Sequence, residues 1–113
     1  MIKLKSRTIY DPILKFGFAI GYGGTQTMMY KKYGYNLQEL ENTTGIFGVR
    51  SVNNKSCLLW SYKWDIETIL HEIAHAALYV ADHTNTKVSF ESEFIPLYSE
   101  WLYREFVILK GKK

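Results

Sequence analysis

The chain of 113 residues holds one cysteine, Cys57, which excludes an internal disulfide framework. Cys57 sits in the apolar run Cys57-Leu58-Leu59-Trp60, as a buried structural thiol does. No apolar run reaches the length of a transmembrane helix, and the basic, alternating N-terminus lacks the apolar core of a signal peptide. The expectation is a cytoplasmic protein with no membrane partner. The net charge of +3 is too mild for a strong nucleic-acid signature. Its excess lies at the ends, in Lys3, Lys5, Arg7, Lys110, Lys112 and Lys113, and reads first as solubilising. Gly21-Tyr22-Gly23-Gly24 lacks the Gly-Lys-Ser/Thr ending of a phosphate loop and reads as a turn or hinge.

What is present is a core-forming composition. Hydrophobic residues make up 47% and charged residues 22%, the balance of a globular chain. At this length one domain over 1–113 with a modest core is expected. Aromatic content is high at 16%, which serves compact cores and peptide-binding grooves alike.

The chemistry concentrates in His71-Glu72-Ile73-Ala74-His75, an HExxH motif within a run expected to be helical from Asp65, as N-cap, to about Ala81. Residues four apart share a helix face, so His71 and His75 point the same way and can hold one metal ion. Glu72 lies roughly 100° round from His71, where its carboxylate reaches a water beside the metal. That set suits a zinc hydrolase, in which the metal acidifies water and the carboxylate takes the proton. Leu70, Ile73, Ala74, Ala77, Leu78 and Ala81 make the helix apolar nearly all round, which predicts burial. A buried His-Glu-His cluster without partners is costly, and a bound metal removes that cost.

The stretch Thr68 to Ala76 resembles the active-site helix of the zincin metallopeptidases. It is most similar to small ones: minimal gluzincins, ImmA/IrrE-like and SprT-like proteins. The resemblance implies an α+β zincin-like domain, with a small sheet, the HExxH helix and a long C-terminal helix. It implies Zn2+ on His71 and His75, Glu72 as general base, and a peptide or protein substrate lying extended along a strand at the cleft rim.

Zinc needs a third protein ligand if water is to take the fourth position. The candidates are Asp82, His83, Glu91, Glu93, Glu100 and Glu105. SprT-like enzymes use a third His in a His-Gly motif, whereas Thr84 follows His83 here. Gluzincins and ImmA-like proteins take a Glu from the next helix, a placement that Glu91-Ser92-Glu93 fits. Helical phase counted from Phe90 puts Glu91 inside the apolar stripe and Glu93 beyond its edge, so Glu91 is preferred. Glu93 and His83 are the alternatives. Glu105 reads as a salt-bridge partner of Arg50 or Arg104. Tyr79, Tyr98 and His83 are eligible to steady an oxyanion.

The remaining elements are coarser. Residues 1–10 alternate as a strand. Asp11-Pro12 can open a helix, and the glycines from 17 to 24 favour irregular structure. A helix is expected over about Gln26 to Tyr33, and a second turn near Leu37 to Glu41. Strands are expected at Ile46 to Val52 and Ser56 to Ser61 with a turn at Asn53 to Lys55. Ser89 should cap a last helix from Phe90 to about Leu109, kinked at Pro96. Two other functions compete with a peptidase: a zincin-like, metal-stabilised binding module without turnover, and a nucleic-acid-associated protein of SprT type, supported only by the basic termini.

Overall fold

The computed structural model describes residues 3–38, 43–50, 53–86 and 93–112. In chain order the elements are β1 (Lys5–Asp11), β2 (Phe16–Tyr22), α1 (Gln26–Tyr33), β3 (Gly45–Arg50), β4 (Asn53–Ser61), α2 (Ile66–His83) and α3 (Phe94–Gly111). The four strands form one mixed sheet in the order β1-β2-β4-β3. The outer pairs are antiparallel and the central pair, β2 and β4, is parallel. The domain is therefore α+β with a long C-terminal helix, as expected.

The two central strands carry the core on both faces. Phe16, Phe18 and Ile20 of β2, with Cys57 and Leu59 of β4, point to α2 and α3. Ala19, Leu58 and Trp60 point the other way, to Met29 and Tyr30 of α1. This period-2 alternation is what a strand buried on both faces requires.

The largest departure from expectation is β2. Residues 16–22 form a central strand where the glycines predicted irregular structure. Large residues at 16, 18, 20 and 22 alternate with small ones at 17, 19 and 21. The small side faces α1: a Cβ at Gly21 would meet Met29 Sδ at 2.9 Å and Ser6 Cβ at 3.0 Å. Here glycine marks a close approach, not a turn.

Asp11 does cap a turn, but the turn does not continue into a helix. Its Oδ1 accepts from the N–H of Ile13 and of Leu14, and Lys15, at φ 64°, closes the β1–β2 connection. α1 lies where expected, with Thr25 Oγ1 accepting from Met28 N at its start and left-handed Gly34 at its end. Residues 39–41 of the second turn expected near there lie outside the described residues. Asn53 to Lys55, expected as a turn, are already part of β4, with Asn53 paired to Arg50; residues 51 and 52 of the expected strand lie outside the described residues.

α3 begins at Phe94, with Glu93 at its N-cap, and not at Phe90; Ser89 lies outside the described residues. Pro96 is then in the first turn, where its missing N–H costs no helical bond, so no kink is needed. The buried stripe is Tyr98, Leu102, Phe106 and Leu109, while Leu97 and Ile108 are exposed. Glu105 pairs with Arg7 of β1 at 3.6 Å, and not with Arg50 or Arg104. Lys5 Nζ donates to the carbonyls of Lys110 and Lys112, so one of the basic residues at the start of the chain caps the last helix. No described helix is long and apolar enough to cross a membrane.

Candidate metal centre

α2 crosses the sheet above β3 and β4 and presents three distinct sides. Ile69, Ile73, Ala76, Ala77 and Val80 are buried against the sheet and α3. Leu70, His71, Ala74, His75 and Leu78 are exposed. The prediction of a helix buried all round is thus wrong for this face: a helix lying on one side of a sheet buries one stripe, and here no described element covers the other. Between the two lies the side facing β3, formed by Thr68, Glu72 and Tyr79.

Asp65 occupies the N-cap of α2 as predicted, but its side chain caps no backbone N–H; it accepts from the hydroxyl of Thr68. That contact holds the first turn. The helix continues to His83, two residues beyond the expected end, where Thr84 Oγ1 donates to the carbonyl of Val80.

His71 Nε2 and His75 Nε2 are 3.1 Å apart, with the ring planes at 80°. Either one imidazole N–H donates to the other's lone pair, or both lone pairs face a shared cation. Two nitrogens on one tetrahedral zinc stand about 3.3 Å apart. The observed separation is close to that distance.

Of the three polar residues of the motif Glu72 is the buried one, 9% exposed, with no hydrogen-bond partner among the described residues. Burial raises its carboxyl above the ordinary range, and the charges of His71 and His75 pull it back down. It is wedged against β3: a Cβ on Gly45 would lie 2.6 Å from Thr68 Cγ2 and 2.8 Å from Glu72 Oε2. Only glycine allows the strand to come this near.

Two hollows flank the motif along β3. One is lined by Thr44, Asp65, Glu67 and Thr68 with His71 and Glu72. The other is lined by Gly45, Ile46 and Phe47 with His71, Glu72 and His75. They share His71 and Glu72 and lie along one groove whose far wall is an edge strand, since among the described residues β3 pairs only with β4. Thr44, Gly45 and Phe47 were not singled out in the sequence. Their sole signal there is position, in and just before a strand that precedes the motif.

The other candidates sort as follows. Glu91 lies outside the described residues. The described α3 starts at Phe94, so the phase counted from Phe90 is not that of the observed helix. Glu93 is exposed at the α3 N-cap. His83, two turns beyond His75, stacks on Tyr79 at 4.9 Å and meets Phe16 edge-on. Among the described residues, no three His, Cys, Asp or Glu form a group that could hold a metal. The structure therefore brings His71, Glu72 and His75 together and brings neither Glu93 nor His83 to them. Tyr79 stands one turn past His75 beside Phe47, with its hydroxyl donating to the carbonyl of Asn54 at 2.7 Å. Tyr98 is on the far side of the core, donating to the buried Asp11.

Compared with models of protein families, with curated proteins and with solved structures, the chain gives no match.

Proposed function

We propose that the protein is a zinc-dependent peptidase of zincin type, with His71 and His75 as ligands and Glu72 as general base. The observation that carries this reading is the trio's geometry: two imidazole nitrogens 3.1 Å apart on one exposed helix face, beside a Glu72 that is 9% exposed and has no hydrogen-bond partner among the described residues. Bound zinc supplies a Lewis acid that polarises a carbonyl and acidifies water. Glu72, held against Gly45, takes the proton of the attacking water and delivers it to the leaving amine. The desolvation that raises its carboxyl favours a base able to give the proton back.

The groove supports a peptide as substrate. The free edge of β3 offers main-chain donors and acceptors to an extended chain. Exposed Leu70 and Leu78, at 45% and 51%, with Phe47, give apolar contacts for its side chains. The third ligand is proposed to be Glu91, by likeness to the gluzincin arrangement.

The test is zinc per chain by elemental mass spectrometry, with cleavage of an unstructured protein measured in parallel. About one zinc in the wild type, lost in His71→Ala and Glu91→Ala, is the expected result. Glu72→Gln should keep zinc and lose cleavage by about a hundredfold or more. Zinc retained in Glu91→Ala moves the third ligand elsewhere. Wild-type protein that takes up no zinc even when supplied with it ends the peptidase reading.

A further inference from the structure

The face of the sheet opposite α2 is only partly covered, because α1 is short. Past its C-terminal end a hollow of about 370 Å³ opens onto the strands. Strand alternation places Thr8 and Tyr10 of β1, Gly17 and Ala19 of β2, Arg50 of β3 and Ser56 of β4 on this one face. The floor is low because the central residues, Gly17, Ala19 and Ser56, are small. Tyr10, Tyr33 and Tyr35 stand at its sides, with Arg50.

Arg50 is the unusual group. Its guanidinium is fixed from two directions, donating through Nη2 to the carbonyl of Tyr33 and lying over the Tyr35 ring at 4.7 Å. Among the described residues no carboxylate pairs with it. Its Nε is buried and has no hydrogen-bond partner, the one such side-chain atom among the described residues. Buried N–H groups are nearly always paired, and one on a cation is costly to leave without an acceptor. A guanidinium held by Tyr33 and Tyr35, with one N–H lacking an acceptor and no carboxylate partner among the described residues, stands on the wall of a hollow sided by tyrosines and is matched by a ligand with an anionic head and a flat body.

We propose that this hollow binds a small aromatic carboxylate, its carboxylate accepting from Arg50 and its ring lying among the tyrosines. The site is across the sheet from His71 and does not depend on the peptidase reading. Gly17 and Ser56 leave the room: a Cβ on Gly17 meets nothing nearer than Tyr10 Cδ1 at 3.9 Å.

Titration calorimetry on the full chain, with phenylacetate and the neutral phenylacetamide as probes, decides it. Phenylacetate should bind once per chain, and the amide about tenfold more weakly or worse, since only the acid pairs with the guanidinium. Arg50→Gln should remove binding of the acid. Ser56→Leu, which fills the floor and leaves Arg50 in place, should remove it too, and this variant decides the matter if Arg50→Gln does not fold. Zinc content should be the same in both variants as in the wild type, which separates this site from the metal centre. The proposal is overturned by acid and amide binding equally, by binding that survives Ser56→Leu, or by no binding at millimolar probe. Inorganic phosphate competing as well as phenylacetate also overturns it, since the tyrosines would then contribute nothing.

Discussion

Glu72 owes its position to a residue without a side chain. Gly45 lets β3 approach to where any Cβ would overlap Thr68 and the Glu72 carboxylate. Gly45→Ala should therefore push the strand from α2, cost about 1–3 kcal/mol of stability, and lower cleavage more than zinc content. Urea unfolding and elemental analysis on one preparation check both. Tyr98 and Asp11 form a second residue-scale device, joining the first turns of α3 to the β1–β2 connection. Tyr98→Phe leaves Asp11 Oδ2 without its donor and should cost about 1–3 kcal/mol, read as a lower urea midpoint. Two buried acids set a pH dependence. Burial pushes the Cys57 thiol from 9.0 up to about 12, and burial with the Asp11 carboxylate pushes the Tyr98 hydroxyl up from 10.0. The fold keeps these protons where the unfolded chain releases them. Their stabilising effect is full below pH 9 and is lost as pH rises toward 12, by up to about 1.4 kcal/mol per group per pH unit. Urea midpoints at about pH 8 and about pH 11 should show the fall, and Cys57→Ala should shrink it.

Among the elements, α1 and α2 were legible because capping residues and periodicity agree there. Thr25 and Gly34 bracket α1, and Asp65 stands before α2. β2 was not, since the glycines that mark a turn in an isolated segment also mark a surface onto which another element packs. The choice depends on Met29, eight residues beyond Gly21, which no local pattern reports. α3 was legible as a helix but not in phase. Its apolar residues cover more than half its circumference, and the half that is buried depends on where α2 and β2 lie. This can be tested: Leu102→Ala should cost about 2–5 kcal/mol, whereas Leu97→Gln should stay within about 0.5 kcal/mol. Equal effects would mean that α3 packs with a different face than Leu102.

At the scale of the molecule, the sheet separates two sides with different chemistry. α2 and α3 cover one, with the His71–Glu72–His75 groove at its β3 edge; α1 partly covers the other. The central strands hold both sides together, so unfolding should be a single cooperative event. Cys57, fully buried on β4, is a reporter of that event. Alkylation of its thiol near neutral pH should follow the same urea midpoint as far-UV circular dichroism. Labelling at lower urea would mean that the sheet opens before the rest unfolds.

The sequence by itself determined the fold class and the trio His71, Glu72 and His75, because one helix at fixed pitch places all three without help from the rest of the chain. It also determined that Cys57 is a core residue, since the run around it is apolar on both faces of a strand. The tertiary structure decided the rest: β3 as the edge of the described sheet, the exposure of one α2 face, Tyr98 paired with Asp11 and not beside the histidines, and Arg50 without a counter-ion among the described residues. Each of these depends on which elements meet across long separations in the chain, and that is set by how the whole core packs.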